Sequence, residues 1–97
     1  MPFLVALTIH LHLPDNGSLK GKRKELSSLK AQLQRRFGAS VAEVDHHEVW
    51  QRARLTIACV ARGHSELGGL LDGAERYLAS QAFELLGVER EVVTLDD

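Results

Sequence analysis

Ninety-seven residues, 44% of them apolar and 26% charged, are the length of a single domain, 1–97, with one modest core. A formal charge of −1 argues against a surface that attracts nucleic acid or membrane all over. The lone cysteine, Cys59, excludes an internal disulfide and a multi-cysteine zinc site; with no apolar run near the roughly 20 residues of a membrane span and no basic leader, a soluble cytoplasmic domain is expected.

Residues 3–13 alternate in period two. Phe3, Val5, Leu7, Ile9, Leu11 and Leu13 share one face, and Leu4, Ala6, Thr8, His10 and His12 the other, which predicts a long strand with a single core side. Pro14-Asp15-Asn16-Gly17 is turn chemistry, and Ser18 is an N-cap for a helix of about 19 residues. Along that helix Leu19, Leu26, Leu29, Leu33 and Phe37 form the apolar stripe, and Gly38 supplies the left-handed stop. Residues 40–46 read as a short strand, with Ala42 and Val44 expected on the core side and Val41, Glu43 and Asp45 opposite. Past Trp50, a third strand puts Ala53, Leu55, Ile57, Cys59 and Ala61 on one face. Leu67, Leu70, Leu71, Ala74 and Leu78 predict a second helix over 65–81, and a last strand falls within 83–95. Gly68, Gly69 and Gly73 weaken that helix and point to a close approach to the sheet or another chain. The order βαββαβ, with right-handed crossovers, predicts an α+β ferredoxin-like sandwich. Its four-stranded antiparallel sheet carries both helices on one face.

The near-zero charge conceals two opposed segments. Residues 18–36 hold Lys20, Lys22, Arg23, Lys24, Lys30, Arg35 and Arg36 against Glu25 alone, a net of +6. Residues 63–97 hold eight acids against Arg76 and Arg90, a net of −6. Lys20, Lys22, Arg23, Lys24, Lys30 and Arg35 are the candidate nucleic-acid-binding residues, since cations along a helix flank neutralise successive phosphates and release counterions. First-turn amides behind Ser18 add an anion-favouring dipole. The other reading is a solvated helix face, or a surface drawn to the chain's own acidic third or to a second subunit.

His12-Leu13-Pro14, Ser18-Leu19-Lys20-Gly21-Lys22-Arg23, Ser40-Val41-Ala42-Glu43-Val44-Asp45 and Trp50-Gln51-Arg52-Ala53, in this order and spacing, resemble the YlxP-like family of small bacterial proteins, a domain of unknown function. Gly21 departs from the pattern, where an acidic or polar residue is expected, and weakens the first helical turn. The resemblance covers nearly the whole chain and implies a ferredoxin-like fold. Its members are often encoded near translation and ribosome-assembly genes, which implies an RNA- or ribosome-related role by association and supplies no catalytic residues.

On the uncovered sheet face, His10, His12, Glu43, Asp45, Arg52 and Arg54 are expected to lie together, beside apolar Leu4, Ala6, Ala58 and Val60. His10, His12, Trp50, Arg52 and Arg54 are therefore the candidate partner-binding residues, and a homodimer through this face is expected. Trp50 either anchors a partner or packs over a sheet edge. The face shows no aromatic row of the kind that stacks bases in RNA-recognition sheets, so any RNA contact is expected to be mainly electrostatic. A zinc site built on His10 and His12 lacks a third nitrogen ligand, and no metal or cofactor is expected. Phosphate-binding glycine motifs are absent, Ser18 is better explained as a cap than a nucleophile, and Cys59 is expected in the core. Acylphosphatases share the length and topology but need a strand Asn, whereas Asn16 sits in a turn. The leading reading is a non-enzymatic binding protein for RNA. The alternatives are a protein-interaction module using the open sheet face, and an enzyme built around His10, His12 and Asp45.

Overall fold

The computed structural model describes residues 1–96; Asp97, counted above in the acidic third, lies outside them. Six elements follow the predicted order: β1 (Phe3–His12), α1 (Leu19–Phe37), β2 (Ser40–Asp45), β3 (Arg52–Ala61), α2 (His64–Ala79) and β4 (Glu84–Thr94). The strands form one sheet in the order β2-β3-β1-β4 with every neighbouring pair antiparallel, the ferredoxin-like arrangement.

The alternation in β1 fixes the two faces of the sheet. Phe3, Val5, Leu7, Ile9 and Leu11 are buried, and β3 answers with Ala53, Leu55, Ile57, Cys59 and Ala61. Antiparallel pairing from Phe3↔Ala61 to His12↔Arg52 keeps both sets on the helix side. Leu26, Leu29 and Leu33 of α1 and Ala74 and Leu78 of α2 complete the core from above. Ser18 caps α1 by accepting a hydrogen bond from the Gly21 amide at 3.0 Å, and Gly38 closes it at φ 62°. Of the three α2 glycines only Gly73 is close-packed, its missing Cβ position lying 3.4 Å from the Phe37 ring; Gly68 and Gly69 face open space. The expected close approach to the sheet is therefore not what these glycines serve: Gly73 packs against α1, and the other two meet nothing within 4 Å.

β2 corrects the sequence reading. Val41 pairs with Ile57 and Glu43 with Leu55, so these two face the helices, while Ala42 pairs with Thr56 on the open side. The register then shifts between Glu43 and Asp45, and that bulge returns Asp45 to the open face opposite Arg54. Alternation alone mis-assigns such a strand, because the residue that most needs the interior here is a glutamate.

Candidate functional site

The polar residues of the β1–α1 turn, the first turn of α1 and the β2–β3 hairpin meet at one end of the sheet. Lys22, one of the predicted surface cations, is instead 2% exposed. It lies in line with Leu26, Leu29 and Leu33 at helical spacing, and its stem runs into the core. The ammonium donates to the carbonyls of His46 at 2.5 Å and Val49 at 2.8 Å. Its remaining side faces Glu43 Oε2 at 2.8 Å, an ion contact whose angle falls outside hydrogen-bond geometry. A buried ammonium requires such a set, since an unpaired charge in the interior is strongly unfavourable. Lys22 is thus a fastener between α1 and the hairpin, and it does not belong to a phosphate-binding row.

Asn16 makes the second fastening. Nearly buried, it donates through Nδ2 to the carbonyls of Ser18 at 2.8 Å and Trp50 at 2.5 Å. Gln51 returns the link, donating through Nε2 to the carbonyls of Pro14 and Asn16 at 3.2 Å each, and the Leu13 amide donates to the Gln51 carbonyl at 2.9 Å. Gly21 is the residue that this arrangement demands. A Cβ there would collide with Asn16 Oδ1 and stand 3.2 Å from Ser18 Oγ, so the apparent weakness of the helical turn is the room in which Asn16 sits. The hairpin turns through His46, whose φ of 62° is unusual for a side-chain-bearing residue. Its amide donates to Asp45 Oδ1 at 2.8 Å. That bond, then the positive charge around His46 and Arg54, holds the Asp45 carboxyl below its ordinary value.

What this scaffold presents is Trp50, 54% exposed at the end of the hairpin, with Val49 beside it at 43%. Trp50 is not among the residues of the core or those packed against it. An open cleft of about 450 Å³ is lined by His12, Val49, Trp50, Gln51 and Arg52. A smaller cavity of about 260 Å³ on the helix side joins Lys22, Arg23 and Glu43 to His47 and Glu48 of the same hairpin.

The other predicted cations of α1 remain outside. Lys20, Arg23, Lys24 and Arg35 are exposed and Lys30 partly so. Among the described residues none of these five has a carboxylate within salt-bridge distance. Arg36 is occupied elsewhere, its guanidinium 4.5 Å above the Tyr77 ring. The acidic third finds other partners: Glu89 contacts His10 Nε2 at 2.6 Å, Glu84 contacts His12 Nδ1 at 3.3 Å, and Glu75 pairs with Arg90.

The open sheet face brings His10, His12, Asp45, Arg52 and Arg54 together as predicted, without Glu43. Thr8 and Thr56 share a hydrogen bond at 3.0 Å across its centre, and Arg54 Nη1 meets Asp45 Oδ2 at 3.2 Å. Beyond the threonines the face turns apolar, with Leu4, Val60 and Val93 exposed by 41, 58 and 47%. Among the described residues no three His, Cys, Asp or Glu side chains are grouped to hold a metal, and no helix is long and apolar enough to cross a membrane. Cys59 is buried, and burial pushes its thiol pKa up.

Known proteins place this geometry in a family. The profile described as "Protein of unknown function (DUF503)" matches residues 4–90. The chain belongs to the DUF503 family. A curated relative, "Uncharacterized protein YlxP" of Bacillus subtilis (strain 168), is 38% identical over 47 residues; the match spans 48% of this chain and 51% of that protein, about half the relative's length. Among solved structures, a putative antibiotic biosynthesis monooxygenase from Bacillus cereus has a TM-score of 0.49 at 10% identity, over 99% of this chain and 94% of that one. The de novo designed protein Ferredog-Diesel has a TM-score of 0.41 at 22% identity, over 89% and 83%. In this DUF503 chain, the segments that carry the YlxP-like resemblance supply the fastened end of the sheet: His12 and Pro14, Ser18 to Arg23, Glu43 to Asp45, and Trp50 to Arg52.

Asn16, Glu43, His46 and Gln51 were not singled out by the sequence as partners in one cluster. The 22–26–29–33 spacing was the available signal for Lys22, because a lysine in register with three core leucines is a buried one. Nothing comparable marks Asn16, whose role depends on a hairpin 34 residues away.

Proposed function

We propose that this protein is a small non-catalytic binding protein that engages RNA, including RNA within the ribosome, through the outer flank of α1. The observation that carries the reading is the set Lys20, Arg23, Lys24, Lys30 and Arg35. These are five cations on one helix flank for which the described residues provide no carboxylate partner. Unpaired cations in a row favour a polyanion, and the affinity of such a surface falls steeply with salt as neutralised phosphates release counterions. Lys22 takes no part, since its charge is satisfied internally. The uneven charge distribution orients an approaching anion toward α1 and away from β4.

The test is the salt dependence of binding to fluorescein-labelled RNA, read by anisotropy between 50 and 200 mM salt. About four to five phosphate contacts give a slope of log K on log salt near −3 to −4. The triple reversal Lys20→Glu, Lys24→Glu, Arg35→Glu abolishes binding while leaving the unfolding midpoint within a few degrees. Unchanged affinity in that variant refutes the reading.

A second reading rests on exposed Leu4, Val60 and Val93: the open sheet face serves protein association, with a second copy as the first candidate. Val60→Glu then lowers the mass measured by sedimentation, whereas a monomeric wild type at all concentrations removes this reading.

A further inference from the structure

We infer that Trp50 is a stacking platform for an unpaired base, which makes single-stranded RNA the substrate class of the surface proposed above. The inference rests on that reading and adds to it the part of the molecule that selects the form of the nucleic acid. An exposed tryptophan is usually a loose surface side chain or the anchor of a partner. Here the backbone on both sides of it is held by groups that are themselves costly to bury. Lys22 fixes the carbonyls of His46 and Val49, Asn16 fixes the carbonyl of Trp50, and Gln51 is tied back to the β1–α1 turn. The indole has no role in the core, at 54% exposure. A rigid mount for an exposed aromatic ring reduces the ordering cost of whatever stacks on it.

The surroundings specify the partner. Arg52 and His12 line the same cleft as the indole, placing a guanidinium and an imidazole beside a flat apolar surface. That is the combination that binds single strands: an aromatic face for the base and, in Arg52, a cation for the phosphate next to it. The mount joins this cleft to the α1 flank, because Arg23 faces His47 and Glu48 across the smaller cavity and Asn16 bridges the carbonyls of Ser18 and Trp50. Of the three acids in β2 and the hairpin, Glu43 faces Lys22, and Asp45 is engaged by Arg54 and the His46 amide. Glu48, with Glu84 beside His12, is left to repel a phosphate. A strand lying along α1 with its backbone on Lys20, Arg23 and Lys24 meets the hairpin at its end. A duplex keeps its bases stacked on each other and has none to offer Trp50.

Trp50 is the sole tryptophan, so its fluorescence reports the site directly. The probes are 12-nucleotide oligoadenylate and oligouridylate strands and their 12-base-pair duplex, titrated at fixed salt. Both single strands are expected to quench the emission and to bind at least five-fold more tightly than the duplex. Trp50→Ala is expected to weaken single-strand binding by about 5- to 100-fold, the range of one base stacked on an aromatic ring, with duplex affinity and salt slope unchanged. Trp50→Tyr recovers much of the loss. The thermal midpoint of Trp50→Ala, unchanged for so exposed a side chain, shows that the fold is intact. Salt-dependent binding with no quenching and no effect of Trp50→Ala overturns this inference and leaves the α1 reading standing. Absence of binding to any of the three probes overturns both. An emission shift that follows protein concentration and ignores RNA assigns Trp50 to contact with a second copy, and also overturns it.

Discussion

Replacing Lys22 by Met retains most of the stem and removes the ammonium, which isolates the buried charge from the packing around it. Three acceptors then lose their partner: Glu43, whose side chain is 18% exposed, and the carbonyls of His46 and Val49. Removing one member of a buried ion pair costs about 3–5 kcal/mol, and most of that is the charge left behind. The carbonyls recover part of their bonding as the hairpin opens to water, so about 4 kcal/mol is the expected total. That is about a quarter or more of the roughly 5–15 kcal/mol that stabilises a domain of this size. At about 4–8 °C per kcal/mol the melting temperature falls by about 16–32 °C. Circular dichroism reads the global transition, and urea titrations at constant m establish that stability has changed and not the extent of unfolding. The double variant Lys22→Met, Glu43→Met discriminates the cause. With both charges gone it is expected to be more stable than Lys22→Met alone, by about 1 kcal/mol or more. A loss below about 1 kcal/mol in the single variant refutes the fastener, and a double variant as unstable as the sum of its parts refutes the charge argument.

Gly21→Ala and Gly68→Ala are expected to have opposite effects, measured as changes in urea midpoint. At Gly68 the space is open and alanine stabilises α2 by about 0.5–1 kcal/mol, whereas at Gly21 the new methyl group meets Asn16 and costs about 1–3 kcal/mol. Asp45 supplies a pH dependence. Its carboxyl is held below the ordinary value in the fold, so its contribution is fully present above the unfolded value of about 3.9 and is lost as pH falls through the lower folded value. The gap in urea midpoint between the wild type and Asp45→Asn therefore narrows as pH falls below about 3.9; a gap that widens over that range contradicts this assignment. Cys59, buried with its thiol pKa raised, is expected to react with an aromatic disulfide reagent at pH 8 only at the rate of unfolding, and at once in 8 M urea.

The fold was legible because it follows from alternation. β1 and β3 have apolar residues at every second position, and antiparallel pairing brings those positions to one face without further information. α1 is bounded by a serine and a glycine whose roles are local. The polar end was not legible, and the reason is long range. Glu43 faces inward because Lys22 is there, and Asp45 faces outward because a bulge follows; a periodic pattern encodes neither. Gly21 read as a local defect because the side chain that occupies its space belongs to another segment. Of the six candidate cations of α1, five lie at the surface of the outer flank that the helical wheel assigns them. The sixth, Lys22, is buried through its spacing to the leucines, which the same wheel contains.

The fastenings of the Trp50 hairpin close entirely within residues 13–51. α2 and β4, the last elements in the chain, contribute none of them. β4 is an edge strand whose final six residues, Glu89 to Thr94, are all exposed, so it is expected to open to solvent at lower free energy than β1, the strand it borders. During synthesis, residues 13–51 leave the exit tunnel ahead of β4, and the groups that shape the hairpin are then already present. The hairpin end of the molecule is therefore specified early in the chain, and the sheet is completed behind it.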